Sequence, residues 1–153
     1  MSKSKILIIE DDFSLAENLK ILLEEEGFFV EIATDGQKGV NTVLKYIPDL
    51  IICDILMPKY DGYYVKNTLN KFDSTFNIPF IFLTAKSGNE NLRKGMNLGA
   101  DDYIYKPYDT NELLNLINLR IEKKKREITK VIKDHYPDNN EDSLMIKDGN
   151  NIQ

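Results

Sequence analysis

Tryptophan is absent from the 153-residue chain, and cysteine and histidine occur once each, as Cys53 and His135. A single thiol excludes an intramolecular disulfide, which fits a reducing compartment. The lone histidine sits in a polar tail, lacks the surroundings of a phosphotransfer histidine and reads as solvated. No apolar run approaches the roughly 20 residues that span a bilayer, and Met1-Ser2-Lys3-Ser4-Lys5 passes straight into a strand-like stretch, so neither membrane association nor a signal peptide is expected. Cytoplasmic localisation is the expectation. Neither charge sign dominates: 25 acidic against 20 basic side chains leave −5, no electrostatic ground for nucleic-acid binding except through an output domain.

What is present is an alternation of two periodicities. Lys5 to Ile9 is strand-like, and Leu15, Leu19, Leu22 and Leu23 then recur at helical spacing over Ser14 to Glu26, with Gly27 as the stop. The same pairing repeats through Phe29 to Ala33 and Gly36 to Tyr46, Leu50 to Asp54 and Asp61 to Phe72, and Pro79 to Thr84 and Glu90 to Leu98 with Gly99 behind it. Asp102 to Tyr105 and a helix from Thr110, whose hydroxyl is the expected cap, complete the set. Five strands alternating with five helices predict an α/β fold, a doubly wound parallel sheet. Periodicity does not order the strands, but the set fits the flavodoxin-like 2-1-3-4-5 arrangement, whose switch point lies between the first and third strands.

Polar residues end these strands. Glu10 and Asp11 follow the first, Asp54 the third, Thr84 and Ala85 the fourth, Lys106 and Pro107 the fifth. In an open α/β sheet such groups converge outside the carboxyl ends of the strands. Neighbouring carboxylates favour a hard cation, and Mg²⁺ takes one or two carboxylates together with phosphate oxygens. Asp54 can then attack a phosphoryl group, with the Thr84 hydroxyl and the Lys106 ammonium meeting its oxygens and Ala85 leaving the approach open. Cys53, one residue earlier, points to the opposite face of its strand and into the core.

Glu10-Asp11, Asp54 with Met57-Pro58 and Asp61-Gly62, Leu83-Thr84-Ala85-Lys86, Gly99-Ala100-Asp101-Asp102-Tyr103 and Lys106-Pro107 together resemble the receiver domain of bacterial two-component response regulators, over roughly Lys5 to Glu122. The resemblance implies that Asp54 is the phosphoacceptor, that Glu10, Asp11, Asp54 and the Leu56 backbone carbonyl hold Mg²⁺, and that a sensor histidine kinase is the donor. It implies self-catalysed phosphotransfer and slow autodephosphorylation rather than turnover as an enzyme. Thr84 and an inward-turning aromatic at Tyr103 would switch the face of the fourth helix, fifth strand and fifth helix, and Lys106-Pro107 would be a cis peptide. Lys94, Asp101, Asp102, Glu112 and Arg120 resemble charged positions through which DNA-binding members form homodimers, whereas Leu116 stands where many carry a basic residue. The expected division is a receiver over residues 1–122, and over 123–153 a helical extension and polar linker that reads as the opening of a truncated output domain, with transcription as the output. Ser143 to Gly149 weakly resembles the first strand of a LytTR-type DNA-binding domain. The alternative is a haloacid-dehalogenase-like phosphohydrolase, which also combines an Asp nucleophile with Mg²⁺, Thr and Lys but places its nucleophile after the first strand.

Overall fold

A computed structural model describes residues 3–85 and 89–136, the side chains of 89–92 excepted, and the expected strand at Ser143 to Ile146 lies outside the described residues. The chain separates into two units, Met1–Ile121 and Glu122–Gln153. The first holds β1 (Lys5–Ile9), α1 (Phe13–Glu25), β2 (Phe29–Ala33), α2 (Gly36–Tyr46), β3 (Leu50–Asp54), α3 (Gly62–Leu69), β4 (Phe80–Ala85), α4 (Asn89–Asn97), β5 (Asp102–Lys106) and the start of α5 (Thr110–His135).

The five strands are all parallel, in the order β2-β1-β3-β4-β5, so the fold is the doubly wound, flavodoxin-like one. Side chains alternate between its faces. Ile6, Ile8, Ile52 and Leu83 pack with Leu19 and Leu23 of α1 and Leu113 and Ile117 of α5. Leu7, Ile9, Ile51, Phe80 and Phe82 pack on the other face with Val40 and Val43 of α2 and Val65 and Leu69 of α3. Helices on both faces are why every residue of β3 is buried.

Local chemistry sets the helix ends, and it moves several expected boundaries. Helix α1 starts at Phe13 rather than Ser14 because Asp12 is its cap, the carboxylate accepting from Leu15 N at 3.2 Å. Asp109, not Thr110, caps α5, accepting from Glu112 N at 3.0 Å. Helix α3, expected from Asp61 to Phe72, is shorter at both ends. Asp61 is its cap, and the Thr75 hydroxyl donates to the Leu69 carbonyl at 2.8 Å, taking an acceptor that a continuing helix would use. Gly99, at φ 91°, ends the turn after α4 as expected.

In the second unit the helix continues to His135, in its last turn, two residues past the expected Lys133. Ile128, Val131 and Ile132 fall on one side of it, each about half exposed. No described helix is long and apolar enough to cross a membrane.

Candidate functional site

The ladder registers bring the polar strand ends together. Ile9 pairs with Cys53, Asp54 with Leu83 and Ala85 with Lys106, so the residues that follow or end these strands share one edge. Carboxylate oxygens of Glu10, Asp11 and Asp54 lie within 4.8 Å of one another. Glu10, Asp54 and Thr84 are buried, whereas Asp11 and Ala85 are exposed. The Lys106 ammonium donates to Glu10 Oε1 at 2.7 Å and stands 3.4 Å from Asp54 Oδ2. Glu10 is itself held at the end of its strand by its amide, which donates to the Ala33 carbonyl at 3.0 Å. The Lys106-Pro107 peptide is cis.

Crowding governs the charges. Partial desolvation against its neighbours, though the residue is exposed, then the hydrogen bond and negative charge of Glu10, push the Asp11 carboxyl above its ordinary value. Burial alone would lower Lys106, but the hydrogen bond to Glu10 and the charges of Asp54 and Glu10 outweigh it and leave the ammonium raised. Three oxygen donors, one of them destabilised as an anion, are a set that a hard divalent cation suits.

The loop after β3 carries Leu56, two-thirds exposed, and a positive φ of 66° at Lys59. It closes where Gly62 N donates to the Ile55 carbonyl at 2.9 Å. Gly62 is required there, since a Cβ would lie 2.6 Å from the Asp54 carbonyl oxygen. Below the carboxylates, a cavity of about 470 Å³ opens between Leu15, Ala16 and Leu19 of α1 and Pro107 and Tyr108.

The structure puts Tyr103 in the inward arrangement, half-buried with its ring 5.4 Å from that of Phe82 and its oxygen against Gly95. Sequence reasoning missed Tyr63, whose hydroxyl hydrogen-bonds that of Tyr103. A glycine inside α4 was the available signal. Four of the five expected dimer charges have local partners: Asp102 pairs with Arg120 at 2.8 Å, Asp101 accepts from Phe80 N at 2.7 Å, and the Lys94 ammonium lies 4.6 Å from the centre of the Tyr63 ring. Cys53 is fully buried in the core and His135 is exposed, both as expected.

Residues 6–118 match the family model of the response regulator receiver domain. The chain belongs to that family. The transcriptional regulatory protein DltR of Streptococcus agalactiae is 40% identical to this receiver over 116 residues, 76% of this chain and 51% of its own length. RpaA of Synechocystis, a DNA-binding dual master transcriptional regulator, is 40% identical over 110 residues, 72% of this chain and 46% of its own. The receiver chain thus spans about half the length of the curated relatives it matches. Among solved structures, a CheY-like receiver domain protein from Methanospirillum hungatei superposes with a TM-score of 0.77 at 30% identity, over 82% of this chain and 99% of that one. The receiver domain of a histidine kinase from Syntrophus aciditrophicus gives 0.75 at 36%, over 80% and 93%.

Proposed function

We propose that this receiver takes a phosphoryl group onto Asp54 from a phosphohistidine of a sensor histidine kinase. The observation that carries the reading is the placement of the Asp54 carboxylate, beside Glu10 and Asp11 on one side and 3.4 Å from the Lys106 ammonium on the other. An Asp54 carboxylate oxygen attacks phosphorus, the P–N bond breaks with its electron pair on the imidazole nitrogen, and that nitrogen takes up a proton. The product is an acyl phosphate. Lys106 shifts from carboxylate to phosphoryl oxygen, the Thr84 hydroxyl donates to a second oxygen, and exposed Ala85 leaves the donor's path clear. Mg²⁺, held by Glu10, Asp11, Asp54 and the Leu56 carbonyl, would supply charge neutralisation of the transferring group. Attack by water on the same phosphorus later restores the carboxylate, so the domain resets slowly without acting as an enzyme on small substrates.

The output is a change in the face of α4, β5 and α5, on which Thr84 and Tyr103 act. That face is also where a homodimer would form, once the Asp102–Arg120 pair exchanges partners. Residues 1–122 form the receiver and 123–153 a helical extension and polar linker; the output is on transcription, the relatives being transcriptional regulators by name, and the site of action is the cytoplasm.

Acetyl phosphate with Mg²⁺ should add one phosphate to the protein by intact mass, and none to Asp54→Asn. Equal labelling of both would refute the assignment.

A further inference from the structure

Around Phe82 of β4 stands a group of side chains that the phosphoryl chemistry leaves unused. The Tyr63 ring of α3 is 5.5 Å from it edge-on, and the Tyr103 ring of β5 is 5.4 Å away. Tyr63 is 8% exposed, so its hydroxyl needs a partner inside the protein. The partner is the Tyr103 hydroxyl, with which it shares a hydrogen bond. Burial, then Tyr103, hold the Tyr63 phenol well above its ordinary value.

The same Tyr103 oxygen rests on the backbone of Gly95, at a point where any Cβ would collide with it. Gly95 is therefore a socket, placed in α4 despite the cost of glycine within a helix. Its neighbour Lys94 sets an ammonium 4.6 Å from the centre of the Tyr63 ring, a cation–π contact. A single pair of tyrosines thus meets α3, α4 and β5 at one point. Tyr103 pairs with Phe82 in the β4–β5 ladder, two residues before Thr84 pairs with Tyr105.

We propose that Tyr63 is a positioning residue of the switch: its hydroxyl holds Tyr103 inward over the Gly95 socket, and the Lys94 ammonium on its ring ties α4 to the same point. If Tyr103 turns outward, the buried Tyr63 hydroxyl loses its hydrogen-bond partner and α4 loses the oxygen seated on it. The tyrosine pair therefore couples the state of the phosphorylation site to α4, a residue-level addition to the reading of Asp54 as phosphoacceptor, on which it rests.

The test uses the full chain with ¹³C-labelled tyrosine rings, the Tyr103 signal being identified by its loss in Tyr103→Phe. Wild type, Tyr63→Phe, Tyr103→Phe and the double variant are compared with and without beryllofluoride and Mg²⁺. Tyr63→Phe is expected to need up to about fivefold more beryllofluoride for saturation, because coupling is reciprocal, and its Tyr103 ring signal moves. Amide exchange of residues 93–97 in its loaded state rises about fivefold, the factor that one net hydrogen bond carries. The double variant should exchange no faster than either single variant, because the two hydroxyls act as one unit. Gly95→Ala, which fills the socket, should shift the Tyr103 signal in both states. A wild-type ring signal and wild-type exchange in Tyr63→Phe would overturn the inference, as would simple addition of the single effects. Absence of phosphate on wild-type Asp54 would instead overturn the underlying reading, so the two failures are distinguishable.

Discussion

Glu10 is a buried carboxylate whose burial is offset by one ammonium, and that fact defines its energetics. Replacing Lys106 by Met leaves the acid in place with its charged donor removed, at an expected cost of about 1–3 kcal/mol. Urea unfolding should show a lower midpoint at unchanged slope. Lys66 presents the opposite case. It is buried in α3, donates from its ammonium to the Phe76 carbonyl at 3.0 Å and lies over the Phe80 ring. Burial lowers its pKa below 10.5, with the charge of Asp101 opposing. Between that lowered value and 10.5 the unfolded chain holds more protons than the folded one, so this group's contribution to stability rises with pH there; below it the contribution is lost. Lys66→Met should thus match wild type within about 1 kcal/mol at neutral pH and fall behind it toward pH ~10. Unfolding curves at the two pH values that stay parallel would remove Lys66 from the account. A charged residue at a helical core position reads as exposed from sequence, and only the Phe76 carbonyl and the Phe80 ring make its burial intelligible.

At the scale of elements, α3 and α5 show how tertiary partners override local pattern. The apolar pattern carries α3 to Phe72, but Thr75 and the Leu69 carbonyl end it sooner. Its start is tied to the site, because Gly62 packs on the Asp54 carbonyl. Gly62→Ala should cost about 1–3 kcal/mol and also slow acetyl-phosphate labelling of Asp54, since relief of the clash displaces the strand end. Helix α5 changes character along its length. Ile117 is fully buried against the sheet, whereas Ile128 is half exposed. Ile117→Ala should therefore cost about 2–4 kcal/mol, and Ile128→Ala less than about 0.5 kcal/mol. A large loss at Ile128 would mean that its side of the helix is covered in solution.

For the whole molecule, the question is what the switch does to association. Four of the five charges expected to join two receivers, Lys94, Asp101, Asp102 and Arg120, have contacts within one chain, Asp102 with Arg120 above all. Unloaded protein should therefore sediment as a monomer, and beryllofluoride with Mg²⁺ should increase the dimer fraction. Sedimentation of the full chain and of one ending at Glu122 measures this; monomers throughout would remove the dimer from the proposed function. The shorter chain should still be labelled at Asp54 at an unchanged rate, because every residue of the site precedes Glu122.

The strands, the helices and the polar residues at the strand ends were legible in the sequence, because two-residue and helical periodicities and capping chemistry are local. Glu10, Asp11, Asp54, Thr84 and Lys106 could be named before any coordinates, since a strand that ends in a charged group can bury its apolar run and still place that group in a crevice. The order β2-β1-β3-β4-β5 was expected from the flavodoxin-like arrangement that such a set fits, not from periodicity, and its pairing, like the meeting of Tyr63, Tyr103 and Gly95, belongs to the tertiary structure. Strand pairing and the fit of one hydroxyl on another depend on backbone distances between residues far apart in the chain. No local pattern encodes those distances.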